Sequence, residues 1–98
     1  MSKLNPSEAA AELAEAIRLF YTDPEVFIEA EGNRVVFVAD VTHTAYVIHE
    51  GGTFTETVYY ADDNVTRESE GVSVQAEIDH YRDLAAEWAS EGPSTTSS

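Results

Sequence analysis

The sequence predicts an α+β fold with a four-stranded antiparallel sheet between an N-terminal and a C-terminal helix. Residues 5–21 and 73–90 repeat apolar side chains at steps of three and four, which is typical of amphipathic helices. Residues 26–61 are rich in β-branched residues and contain turn signals at Gly32-Asn33 and Gly51-Gly52. Because each helix has one apolar side, we expect a two-layer sandwich in which both helices pack on the same face of a meander sheet.

The first helix has a well-marked start and end. Asn5 is suited to the N-cap, Pro6 to the first helical position, and Glu8 to the acidic position of a capping box. The segment Thr22-Asp23-Pro24 ends the helix because the residue before proline disfavours helical dihedral angles. The predicted apolar stripe consists of Ala9, Leu13, Ala16, Ile17 and Phe20.

The first two strands, 26–31 and 34–41, form a hairpin around a glycine-first turn. Such a two-residue turn places Glu31 opposite Arg34 and thereby sets the register of the pair. One face then pairs Ala30 with Val35, Ile28 with Phe37 and Val26 with Ala39, and the other pairs Phe27 with Val38 and Glu29 with Val36.

The third and fourth strands, 44–49 and 53–61, allow two registers. A three-residue loop of Glu50, Gly51 and Gly52 gives a core face of Tyr46, Ile48, Phe54, Val58 and Tyr60. A two-residue loop would instead place His43, His49 and Glu56 with the apolar residues, burying three polar groups that each need a partner. We therefore prefer the three-residue loop.

The rest of the chain is interpreted as a connection, a second helix and a tail. Residues 62–71 are polar and acidic and are predicted to be a loop; Ser73 caps a helix that runs to about Ser90. Gly92-Pro93 is expected to end the helix. The single domain is therefore assigned to 1–93, and the tail 94–98 is expected to be disordered. Within the predicted second helix, the apolar residues at helical spacing are Val74, Ile78, Tyr81, Leu84, Ala85 and Trp88.

Composition excludes several classes of function. Nineteen acidic and five basic side chains give a formal charge of −14. This charge repels phosphates and anionic lipids, so we expect no direct nucleic-acid or membrane partner. The absence of cysteine removes disulfides, thiolate metal sites and cysteine nucleophiles. No apolar stretch is long enough to span a bilayer and no signal peptide is evident, so a soluble, cytoplasmic protein is expected.

The composition also resembles that of small acidic cytosolic proteins of extremely halophilic archaea. The chain is rich in Glu, Ala, Val and Thr, and Lys3 is its only lysine. The resemblance implies adaptation to molar salt, which shortens the Debye length to about 3 Å and screens repulsion within the compact state. An ordinary acidic protein from a low-salt organism is the alternative.

An open sheet face is the strongest candidate site. Two helices on one side of the sheet leave the other side as an apolar patch, which soluble monomers seldom expose. We predict that this patch is an interface with a second copy or another protein. If the helices straddled the sheet, or if the tail folded over this face, no patch would remain. The predicted interface residues are Phe27, Val36, Val38, Ala45, Val47 and Tyr59.

Metal and cofactor chemistry has weaker support. His43 and His49 point to one face, and histidine with nearby carboxylates is a common ligand set. The two rings lie about 20 Å apart on an extended strand, so they are weak metal candidates and no metal or cofactor is predicted. Residues 62–70 alternate oxygen-bearing side chains, but Arg67 replaces the glycine of a calcium loop and Ser73 its last glutamate.

These patterns predict a non-catalytic, salt-adapted interaction module that homodimerises through the open sheet face. No nucleophile elbow or phosphate-binding loop is present. His49 near Glu56 or Tyr59 is a candidate acid–base pair, whereas His80 with Asp79 and Asp83 is interpreted as a solvated helix face. Two alternatives are a small-ligand or metal-binding module on the sheet face and an acidic nucleic-acid mimic that binds a basic partner.

Overall fold

The computed structural model describes residues 5–96, with side chains described to residue 89. Its sheet has five antiparallel strands in chain order, so the α+β class with a meander sheet is confirmed. The elements are α1 Pro6–Phe20, β1 Phe27–Glu31, β2 Arg34–Ala39, β3 Thr42–Ile48, β4 Phe54–Tyr60, β5 Val65–Gly71 and α2 Val74–Thr96.

The prediction of four strands was wrong, because β5 occupies the segment expected to be a loop. Backbone pairing with β4 holds this strand, from Tyr60 opposite Val65 to Phe54 opposite Gly71. Its residues 65–70 are all exposed, so the strand has no buried face and shows no apolar alternation in the sequence. Asn64 closes the β4–β5 turn with a φ of 54°, a conformation that asparagine tolerates better than most residues.

The predicted strand registers are confirmed, except that Val26, expected opposite Ala39, precedes β1 and its N–H donates to the Asp23 carbonyl. Glu31 lies opposite Arg34 and Phe27 opposite Val38. Between β3 and β4, Ile48 lies opposite Phe54, and the His49 N–H donates to the Thr53 carbonyl at 2.7 Å. The loop therefore contains three residues, 50–52, as preferred. Strand β3 begins earlier than predicted, at Thr42.

The core lies between the sheet and the two helices, which pack on one face as predicted. Helix α1 lies against β1, β2 and β3, and α2 packs mainly on α1. Tyr46 is completely buried at the centre, where Phe37 stacks on one side of it and Phe54 tilts against it. The core cluster is Ala9, Ala10, Leu13, Ala14, Ala16, Ile17, Val35, Phe37, Tyr46, Ile48, Phe54, Val74 and Ile78.

Both predicted helix starts are confirmed by their caps. The Asn5 side chain accepts from the Glu8 N–H at 2.8 Å, and the Ser73 hydroxyl accepts from the Ala76 N–H at 3.1 Å. Helix α2 continues to Thr96, past the end predicted at Gly92-Pro93. The last two residues of the 94–98 tail lie outside the described residues, and the expected disorder of that tail stays a prediction.

Candidate functional site

The sheet brings all six predicted interface residues to the face opposite the helices. Strand pairing places Phe27 opposite Val38, and Val36 opposite Ala45. The same pairing aligns His43 with Val38 and Tyr59. This side of the sheet, named the open face below, consists of Phe27, Glu29, Glu31, Arg34, Val36, Val38, His43, Ala45, Val47, Thr55, Thr57, Tyr59, Thr66, Glu68 and Glu70.

The centre of the open face is apolar and only partly shielded. Val36, Val38, Ala45 and Val47 are half-buried by their neighbours within the sheet. Phe27, at the edge strand β1, is 51% exposed. Both described helices lie on the opposite side, so the sheet itself supplies the only shielding that the structure describes for this patch.

The acidic side chains of the open face lie only on the outer strands of the described sheet. The central strands β2, β3 and β4, all within the described chain, present no carboxylate there; Arg34 and His43 are their basic groups on this side. The acidic residues of this face lie on the outer strands, Glu29 and Glu31 on β1 and Glu68 and Glu70 on β5. A centre without carboxylates is therefore flanked by acidic edges.

The two histidines on or near the open face have local partners. The His43 ring makes an edge contact with Tyr59, with 5.9 Å between ring centres. His49 Nε2 lies 2.9 Å from the Thr55 hydroxyl. Among the described residues, no group of three or more histidine or acidic side chains is placed to hold a metal ion. The structure thus does not bring His43 and His49 together.

A buried polar cluster on the helix side was missed by the sequence analysis. The Tyr46 hydroxyl donates to Glu77 Oε2 at 3.1 Å and lies 3.3 Å from the Tyr81 hydroxyl. Since Tyr46 has one proton and Glu77 receives it, Tyr81 is the donor to Tyr46. Burial raises the pKa of Tyr81 to about 12 and that of Tyr46 still further.

Glu56 lies beside this cluster. Burial, followed by the nearby Glu77 charge, raises the pKa of the Glu56 carboxyl above its usual range. Glu56 alternates with Phe54 and Val58, so it faces the helix side under the three-residue loop as well. The expectation that only the two-residue loop would place Glu56 there was wrong. The sequence does contain a signal for this placement, because Glu56 occupies an inward position between the apolar residues Phe54 and Val58.

The helix side of β4 and β5 carries a groove that the helices do not fill. Its volume is about 510 Å³, and it is lined by Glu56, Val58, Tyr60, Arg67, Ser69 and Glu68, the last of which the strand register assigns to the open face. Arg67 extends over the Tyr60 ring, with its guanidinium carbon 5.9 Å from the ring centre. The groove and the open face therefore lie on opposite sides of the same strands.

The chain matches no family model, no curated protein and no solved structure. No helix in the described part of the chain combines the length and apolar character that a membrane span requires. The geometry and charge of the two surfaces are therefore the basis for inferring function.

Proposed function

We propose that this chain is a salt-adapted interaction module that forms a homodimer by packing its open face on that of a second copy. The observation that supports this most directly is the lack of carboxylates on that face across the described strands β2, β3 and β4. In a chain with nineteen acidic residues, a central apolar patch free of them is unusual for a surface that meets only water.

A second copy fits the patch because the apolar side chains of one patch can pack against the same side chains of the other. A two-fold interface brings the same surface together with itself, and Val36, Val38 and Val47 would interdigitate without leaving a buried charge unpaired. Arg34 at the rim and the acidic residues on β1 provide opposite signs for pairing across the two-fold axis.

The area of the face is sufficient for a modest interface. Five strands spaced by about 4.8 Å, each about 20 Å long, give a footprint near 500 Å² per copy, or about 1,000 Å² in total. Specific interfaces begin near this total of about 1,000 Å². A dimer of moderate affinity is therefore expected.

Salt should control this dimer. Each copy carries a charge of −14, and the acidic edge strands approach each other when two open faces meet. At molar salt the Debye length falls to about 3 Å, which screens that repulsion and leaves the apolar attraction. The dimer should therefore form at high salt and dissociate in dilute buffer. A salt-dependent dimer accounts for both the acidic composition and the apolar patch.

Light scattering coupled to size exclusion, run from dilute buffer to about 2 M KCl, tests the proposal directly. We expect the 10.7 kDa monomer at low salt and twice that mass at high salt. Val38→Glu should remain monomeric at every salt concentration, because the interface would bury its carboxylate at a large desolvation cost. Its circular dichroism should match that of the parent chain.

Leu19→Glu is the matched control. Leu19 is 58% exposed on α1, on the helix side of the molecule, so this variant adds the same charge away from the open face. It should dimerise like the parent. A parent chain that stays monomeric up to molar salt would overturn the homodimer, as would a folded Val38→Glu variant that dimerises normally.

A further inference from the structure

The groove on the helix side of β4 and β5 has the features of a small-molecule site. Its volume of about 510 Å³ falls within the roughly 300–1,000 Å³ of ligand pockets. Val58 and the Tyr60 ring give it an apolar wall, and both side chains are half-buried. Charged groups of opposite sign, Arg67 and Glu56, share the lining, so the groove has distinct chemical ends.

Arg67 supplies the anion-binding end. Its guanidinium is held over the Tyr60 ring, and no carboxylate of the described residues lies within ion-pair distance of it. Because no described acidic side chain pairs with Arg67, its guanidinium is available to bind the carboxylate of a ligand. A guanidinium binds a carboxylate through two parallel hydrogen bonds, which selects planar anions.

Glu56 supplies the cation-binding end. It lies near Glu77, whose charge opposes its ionisation, and opposite Ser69 on the neighbouring strand. A positively charged donor beside Glu56 would relieve the repulsion between the two carboxylates. The partly buried position excludes some of the water that would otherwise weaken such an interaction.

The spacing of the two ends limits the ligand to a small one. Arg67 lies opposite Val58 and Ser69 opposite Glu56, so Arg67 and Glu56 are diagonal neighbours on adjacent strands. Diagonal pairs have backbones about 7–8 Å apart. That spacing places a carboxylate and an ammonium attached to the same carbon atom within reach of both side chains.

We propose that this groove binds a free α-amino acid, with the ligand carboxylate on Arg67, its ammonium on Glu56, and its side chain along Val58 and Tyr60. The site lies on the opposite side of the sheet from the proposed dimer interface. Ligand binding and dimerisation are therefore separate functions, and failure of one leaves the other standing.

Titration of the intact chain with the standard α-amino acids, followed by amide chemical shifts in NMR, tests this site without any mutation. We expect saturable shifts at Val58, Arg67 and Ser69, with the open-face amides of Val36 and Val47 unaffected. The leucine analogues leucinamide and N-acetylleucine each remove one charge. Each should bind at least about tenfold more weakly than leucine if both ends are recognised.

Variants assign the two ends. Arg67→Gln should weaken binding of the amino acid about tenfold or more and abolish the preference for leucine over leucinamide. Glu56→Gln should abolish the preference over N-acetylleucine. Arg82→Gln is the matched control, because Arg82 pairs with Glu12 at 3.2 Å between the helices, away from the groove. It should bind like the parent.

Three results would overturn the site. The first is the absence of saturable shifts for every amino acid up to about 20 mM, a concentration that detects even weak millimolar complexes. The second is equal binding of leucine, leucinamide and N-acetylleucine. The third is unchanged binding by folded Arg67→Gln. If Glu56→Gln fails to fold, Ser69→Ala replaces it, with weaker ammonium binding as the expected result.

Discussion

The hydroxyl of Tyr46 donates a 3.1 Å hydrogen bond to Glu77 and so connects the middle of the sheet to the second helix. Tyr46 lies on β3 and is completely buried, whereas Glu77 lies in the first turns of α2 and is half-buried. Helix α2 otherwise packs mainly on α1. This bond is therefore one of the direct links that orient α2 over the sheet.

Replacement of Tyr46 by Phe should lower the free energy of unfolding by about 1–2 kcal/mol, because a bond to a charged group is lost and the ring is kept. Urea unfolding followed by circular dichroism measures the change. Tyr59→Phe is the matched control, since its hydroxyl donates to Asn64 at an exposed turn and should contribute less than about 0.5 kcal/mol. Equal losses in the two variants would contradict the central role of the Tyr46 bond.

Glu56 should make stability depend on pH in a defined direction. Burial and the Glu77 charge raise its pKa in the folded state above the unfolded value, so the folded chain holds this proton more tightly. The stabilising contribution of Glu56 is then fully present below its unfolded pKa and is lost as pH rises through the folded pKa.

Glu56→Gln stays uncharged and should avoid that loss. The variant should gain stability relative to the parent as pH rises from about 4 to about 7. Because the side chain is only partly buried, solvent screening limits the gain to less than about 1 kcal/mol. Urea unfolding at a series of pH values measures it, with Glu68→Gln on exposed β5 as the control for removing one carboxylate. A relative stability that falls with pH would show that the sign is wrong.

Gly71 should be intolerant of a side chain. A Cβ built at this position would overlap the ring of Phe54, its cross-strand partner in the core. Gly71→Ala should therefore force the ring to move and lower stability by about 1–3 kcal/mol. Glu70→Ala, on the open face one residue earlier, is the matched control and should change stability by less than about 0.5 kcal/mol. Thermal unfolding that ranks the two variants equally would rule out the packing argument.

The sequence predicted those parts of the fold in which local chemistry and burial agree. The cap at Asn5, the glycine-first turn at Gly32 and the register that pairs Phe27 with Val38 follow from turn geometry and apolar alternation. The six residues of the predicted patch share a face for the same reason.

Strand β5 and the groove could not be predicted in this way. Arg67 and Ser69 belong to a strand whose stability comes from backbone pairing with β4 and not from an apolar face, so no periodic signal marks it. The contact of Tyr46 with Glu77 joins residues far apart in the chain and depends on how α2 packs on α1. That angle is a property of the assembled core, which local patterns do not specify.

Salt should stabilise the monomer itself, apart from any effect on dimerisation. The chain carries a charge of −14, and repulsion among its acidic groups opposes the compact state more strongly than the expanded one. We expect the free energy of unfolding to rise by at least about 1 kcal/mol between about 0.1 and 2 M KCl. Chemical unfolding with urea, at protein concentrations low enough to keep the chain monomeric, measures this dependence.

The double variant Glu68→Gln/Glu70→Gln separates charge repulsion from general salt effects. It removes two of the exposed carboxylates on β5 and reduces the formal charge from −14 to −12. It should be more stable than the parent at low salt and should gain less from added KCl, because less repulsion remains to be screened. If the parent and the variant gain equally from KCl, the stabilisation arises from salting-out of apolar surface and not from screening of the acidic groups.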